Sequence, residues 1–183
     1  MWNVSMLAGV VLLCGCSTLH YERTQPGELK GKLIVEWVKP DMFVFRPDKD
    51  RPLTFVRHNK DVITPGLMYT DGGSIPRPLW AIRSYSPWGY APAYIIHDWL
   101  FHVKNCQLRG HEKLTLEESA WVLSEVMKTL MEKQGRDELT LYAVFEGVNS
   151  QIASKVFNAG ECVEAPSGLI GGAPALQYVI DFP

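Results

Sequence analysis

The feature that most restricts this fold is a change of hydrophobic period part-way along the chain. Leu33, Val35 and Trp37 alternate with Lys32, Ile34 and Glu36, the two-residue repeat of a strand with one apolar face. Phe43 to Phe45 and Leu53 to Val56 are further short strands, and His58-Asn59-Lys60-Asp61 turns the chain into Val62-Ile63. After Pro92, well suited to a first helical turn, the period lengthens and predicts a helix over about Ala93 to Val103. Thr115 and Glu118 make a T-x-x-E capping box that opens a second helix, running to about Lys133 with Leu116, Trp121, Leu123, Val126, Met127 and Leu130 as its apolar positions. Asp137 caps a third helix over about Glu138 to Phe157, and Leu176 to Phe182 returns as a strand. Strands followed by helices predict an α+β class, a small N-terminal antiparallel sheet packed on about three helices.

The N-terminus obeys a different logic. Met6 to Leu13 reads MLAGVVLL, an apolar stretch of signal-peptide length that runs into Leu13-Cys14-Gly15-Cys16-Ser17. This resembles the bacterial lipobox. The resemblance implies that Cys16 takes a diacylglycerol, that residues 1–15 are removed as a lipoprotein signal peptide, and that the new N-terminus is acylated, palmitate being one such chain. Several acyl chains at about 0.8 kcal/mol per CH₂ anchor firmly to a membrane. Ser17 resembles the residue that sends such lipoproteins to the outer membrane, facing the periplasm. Residues 16–28, with Pro26 and Gly27, are then a tether and residues 29–183 a single domain.

Export changes the meaning of the remaining cysteines. Once Cys14 is removed and Cys16 lipidated, Cys106 and Cys162 remain, and an even remainder in an oxidising compartment favours a disulfide, two buried thiols being the alternative. The 18 basic and 20 acidic residues balance to a net charge of −2, which excludes an electrostatic partnership with nucleic acid. A hydrophobic fraction of 46% is enough for a folded core and argues against disorder.

Two short motifs carry the chemistry. The first is Thr70-Asp71-Gly72-Gly73-Ser74-Ile75-Pro76, preceded by the turn Pro65-Gly66; the second is His97-Asp98-Trp99-Leu100-Phe101. In this order they resemble an uncharacterised domain family of phages and bacteria that pairs T-D-x-x-S-I-P with H-D-x-L-Y or H-D-x-L-F, over about Leu29 to Gly147. That resemblance implies a phage or prophage origin and a domain of unknown function, without an activity.

A second resemblance is mechanistic. Secreted phospholipase A2 enzymes place a glycine-rich loop before a helix bearing His-Asp, an order followed here by Asp71-Gly72-Gly73-Ser74 and His97-Asp98. It implies a calcium-dependent lipid hydrolase in which His97 is the general base, Asp98 the calcium carboxylate, and the carbonyls of Gly72 and Gly73 further ligands. Calcium would polarise the ester and stabilise its oxyanion. Glu118 would orient the imidazole, although its capping role explains it equally, and Asp71 and Ser74 would support the loop.

Three other readings belong beside this one. His97 and Asp98 can be a buried polar pair tying the helix to the loop through Asp71 or Ser74. Asp98 and His102, four apart, can share a helical face and a transition metal. Trp80, Tyr85, Trp88 and Tyr90 crowd a Pro/Gly-rich connector and would, if exposed, give a non-catalytic envelope protein a surface for lipid or a protein partner.

Overall fold

A computed structural model describes residues 15–39, 42–70, 89–165 and 176–183. Strand β1 (Glu28–Lys39) is the axis of the sheet. It pairs antiparallel with β3 (Thr54–Val56) through Glu28 to Lys30 and with β2 (Met42–Phe45) through Val35 to Lys39. β4 (Val62–Ile63) and β5 (Met68–Thr70) extend the two ends, giving the order β4-β3-β1-β2-β5. The C-terminal β6 (Gln177–Phe182) pairs with β1 in continuous register from Gly31 opposite Phe182 to Glu36 opposite Gln177. The sheet curls as a half-barrel.

Gly31 makes part of this geometry possible. Its φ is 85°, and a Cβ there would lie 2.1 Å from the Pro52 carbonyl oxygen, so the strand can bend against the Arg51–Pro52 backbone only where no side chain intervenes. Beyond the bend Leu33 and Val35 turn inward and are essentially buried. Glu36 is buried on the other face, where Arg46 holds its carboxylate at 2.5 Å.

After a first helix, α1, over residues 15–23, α2 (Ala91–Asn105) and α3 (Leu116–Gln134) pack against the sheet, while α4 (Glu138–Val148) packs on α3 and α5 (Gln151–Ala159) on α2 and α3. The first seven residues of α2, Ala91 to His97, are all buried, so this helix enters the core end-on before its outer face emerges. Ser150 breaks what the sequence reads as one long third helix, because its side chain accepts from Ala153 N and starts α5 afresh.

The expectation of a small N-terminal sheet on about three helices is therefore corrected. Six strands and five α-helices are present among the described residues. The predicted C-terminal strand joins the sheet as β6, the strand that was not predicted is β5, only three residues long, and two helices arise by division and by docking rather than from an uninterrupted apolar period.

Helix α1 owes its place to α3. The Lys128 ammonium donates to the carbonyls of Tyr21 (2.8 Å) and Thr24 (2.9 Å), capping the helix C-terminus with positive charge. Ser17, His20, Tyr21 and Thr24 are buried, and His20 stacks on Trp121 with ring centroids 4.8 Å apart. Cys16, at the start of this docked helix, is exposed with a free thiol.

Candidate functional site

Thr70 ends β5, and 28 residues later Asp98 stands on α2; the Thr70 hydroxyl donates to Asp98 Oδ2 at 2.6 Å. Asp98, Phe101, His102 and Asn105 follow the i, i+3, i+4, i+7 spacing of one helical face. With Tyr69, Thr70, His97, Val156, Glu161 and Val163 they line an open cleft of about 200 Å³. Its floor is polar and its rim, at Phe101, Val156 and Val163, is apolar.

His97 lies at the edge of this floor. It is 5% exposed, its ring tilts against Phe101 at 4.6 Å, and Nδ1 is 3.8 Å from Asp98 Oδ1. Nε2 is buried and has no hydrogen-bond partner among the described residues. A buried nitrogen left unpaired costs about 1–3 kcal/mol, which makes it the conspicuous atom of the cleft. The neighbouring His102 is pushed below the ordinary histidine range by burial, with the Glu164 carboxylate opposing.

The far wall comes from the segment after α5. Cys162 is disulfide-bonded to Cys106 at the end of α2, and this places Glu161 and Val163 on either side of the bridge against the cleft. Gly160 permits the approach, since a Cβ there would meet Asn105 Nδ2 at 2.3 Å. The sequence reading singles out His97 and Asp98, with His102 as a candidate metal partner of Asp98 and Thr70 as part of the first motif, but not Asn105 or Glu161. The helical spacing from Asp98 and the pairing of Cys106 with Cys162 were the signals that lead to them.

Glu118 is elsewhere. Its backbone N–H donates to the Thr115 hydroxyl as half of a capping box, but its carboxylate is bound by the Arg57 guanidinium, which also grips Glu125 through two 2.7 Å hydrogen bonds. Among the described residues the carboxylate that faces His97 is Asp98, at 3.8 Å. Asp71, Gly72, Gly73 and Ser74 lie outside the described residues, as do Trp80, Tyr85 and Trp88 of the aromatic connector. Tyr90 is buried.

A calcium ion takes six to eight oxygens. Among the described residues no group of three metal-ligating side chains converges, and Asp98, the carboxylate offered, already accepts from Thr70. These donors alone do not make a calcium site. Nor is any helix among the described residues long and apolar enough to cross a membrane.

Comparison with protein families matches residues 50–144, just over half of the chain, to a family described as "Protein of unknown function (DUF1353)". The chain belongs to the DUF1353 family. The matched segment runs from before β3 into α4 and contains Thr70, His97 and Asp98, whereas Glu161, Cys162 and Val163 fall beyond it. No curated protein and no solved structure matches the chain.

The DUF1353 segment also gives the Pro65-Gly66 turn a packing role. A Cβ on Gly66 would sit 2.8 Å from the Trp99 ring, so the turn lies flat beneath the indole of the His-Asp-Trp motif. Two of the motif elements are thereby joined by contact, and the Thr70–Asp98 hydrogen bond joins them again.

Proposed function

We propose that this DUF1353 protein is an exported lipoprotein, anchored through Cys16, whose cleft hydrolyses a carboxylic ester with His97 as general base. The observation that carries the reading is the His97 ring, whose Nδ1 faces the Asp98 carboxylate and whose buried Nε2 has no hydrogen-bond partner among the described residues. In its neutral form that nitrogen accepts a proton from water as the water oxygen bonds to the ester carbonyl carbon. The imidazolium then returns the proton to the departing alkoxide as the carbon–oxygen bond breaks.

Asp98 supports the other ring nitrogen. At 3.8 Å the contact with Nδ1 is longer than a hydrogen bond, a common state of catalytic pairs before substrate binds. Thr70 fixes the carboxylate from behind. The apolar rim of Phe101, Val156 and Val163 supplies a surface for the acyl portion of the ester.

The exposed Cys16 thiol favours the anchor, because Cys106 and Cys162 are consumed by their disulfide. The docked α1 would bring the domain close to the outer-membrane surface, facing the periplasm.

The alternative, a non-catalytic envelope protein that binds a partner, draws on the Thr70–Asp98 hydrogen bond as a purely structural tie. Fatty-acid release from phosphatidylethanolamine–phosphatidylglycerol vesicles and from a short-chain aryl ester separates the two. The full chain, His97→Gln and Asp98→Asn are compared with calcium and with EDTA. Hydrolysis abolished by both substitutions supports the esterase, and loss in EDTA adds calcium as its cofactor. Equal background in every sample leaves the partner-binding reading.

A further inference from the structure

The charge of the cleft bears on what it can hold. Two carboxylates, Asp98 and Glu161, line it, together with the rings of Tyr69, His97, Phe101 and His102, and no lysine or arginine is among its lining residues. Asp98 is engaged by Thr70, whereas Glu161 makes no hydrogen bond or ion pair among the described residues and stands exposed at the mouth. A negative field of this kind, in a partly enclosed space, repels phosphate and carboxylate ligands and attracts cations. Aromatic rings beside it add cation–π attraction.

Acidic residues alone would not make a site, but the cleft has an independent mark of a ligand in the 95% buried His97, a residue of the same lining whose buried Nε2 has no hydrogen-bond partner among the described residues. The position of Glu161 is also built rather than incidental. The following residue, Cys162, is disulfide-bonded to Cys106 at the end of α2, and the preceding one, Gly160, lies against Asn105.

We propose that Glu161 is the specificity-determining residue of this cleft and selects a ligand whose short apolar arm carries a positively charged ammonium group. The inference rests on the esterase reading for its chemistry, since the ester hydrolysed would then be that of an amino alcohol. Its binding component stands separately. The ammonium group sits between Glu161 and the aromatic rings, and the apolar arm lies along Val156 and Val163 toward His97. Because Glu161 lies beyond the matched DUF1353 segment, the selectivity belongs to the disulfide-bonded C-terminal wall rather than to the His-Asp motif.

Three probes of similar size test it on the full chain: choline, its neutral isostere 3,3-dimethylbutan-1-ol, and the anion 2-hydroxyethanesulfonate. Imidazole nitrogen shifts of His97 and His102 report binding. Choline is expected to give saturable shifts, with the alcohol weaker and the anion without effect. Glu161→Gln should weaken choline binding about fivefold, the scale of one partly exposed charge pair, while Glu164→Gln leaves it intact. Equal binding of choline and the alcohol, or preference for the anion, overturns the proposal, as does an unchanged affinity in Glu161→Gln.

Acetate esters of choline and of the neutral alcohol distinguish the two levels. Hydrolysis of both at the same rate retains the esterase and rejects the cation selectivity. Choline binding without hydrolysis of either ester retains the selectivity and rejects the esterase.

Discussion

The Thr70 hydroxyl donates a 2.6 Å hydrogen bond to Asp98 Oδ2, tying the last residue of β5 to the outward face of α2 at the floor of the cleft. The bond has a charged acceptor that is only 16% exposed, so losing it costs about 2 kcal/mol. Thr70→Val should lower stability by that amount in urea denaturation and reduce ester hydrolysis by letting Asp98 turn from His97. Thr70→Ser, which keeps the hydroxyl, should recover most of both. Equal behaviour of the two variants would show that the hydroxyl has no part in holding Asp98.

Acid should undock α1 through His20. This residue is 7% exposed, hydrogen-bonded to Ser124 at 3.2 Å, and burial pushes its pKa down from 6.5 to about 4. Above pH 6.5 the imidazole is neutral in both folded and unfolded chains, and its contribution is complete. As the pH falls toward 4 the unfolded chain takes up a proton that the folded one refuses, so this contribution is lost across that interval. The burial of His102 shifts it in the same direction. Thermal unfolding of the wild type and His20→Gln between pH 7.5 and 4 should give a difference curve that falls through this window. A difference independent of pH would contradict the assignment.

The Cys106–Cys162 disulfide spans 56 residues of sequence, and in the chain-entropy account a loop of this size is worth about 4 kcal/mol. Reduction should therefore lower the denaturation midpoint. It should also free Glu161 and Val163 from the cleft, raising hydrogen exchange over residues 160–165 before the rest of the domain responds. Protection unchanged in that segment after complete reduction would mean that other contacts hold the wall.

Arg57 should matter far more than the surface ion pairs. It is 11% exposed at its side chain, and its partner Glu125 is 12% exposed. Arg57→Met strands that carboxylate in the interior and is expected to cost about 3–5 kcal/mol. Glu118→Gln, at a carboxylate 43% exposed, should cost under about 1 kcal/mol. Chemical denaturation of the two variants measures the contrast, and similar losses would contradict the division of the Arg57 clamp into a buried and an exposed arm.

Local signals made much of the fold legible. Pro92 opening α2, the Thr115 cap of α3 and the alternation of Leu33 with Val35 are short-range patterns, and each corresponds to a formed element. Strand β5 and helix α1 were harder to read because their reasons are not local. β5 is three residues long and exists by pairing with β2, while α1 depends on Lys128, more than a hundred residues away, for its cap. Trp37 illustrates the same limit: it continues an apolar alternation yet is 44% exposed, beyond the inward-facing Leu33 and Val35.

The site divides similarly. His97 and Asp98 stand out as adjacent chemistry-bearing residues, and α2 does present both to one cleft. Glu118 has the right charge and separation but the wrong neighbour, since Arg57 at the end of β3 claims it. Nothing in the spacing of Glu118 and His97 announces that competition.

The most direct test of the central claim is the rate of ester hydrolysis by the full chain beside His97→Gln, with circular dichroism establishing that both are folded. The account predicts turnover by the wild type and a loss of about 10²–10⁴-fold in the variant, the usual contribution of a general base. A folded His97→Gln protein that hydrolyses the same ester at the wild-type rate would contradict it.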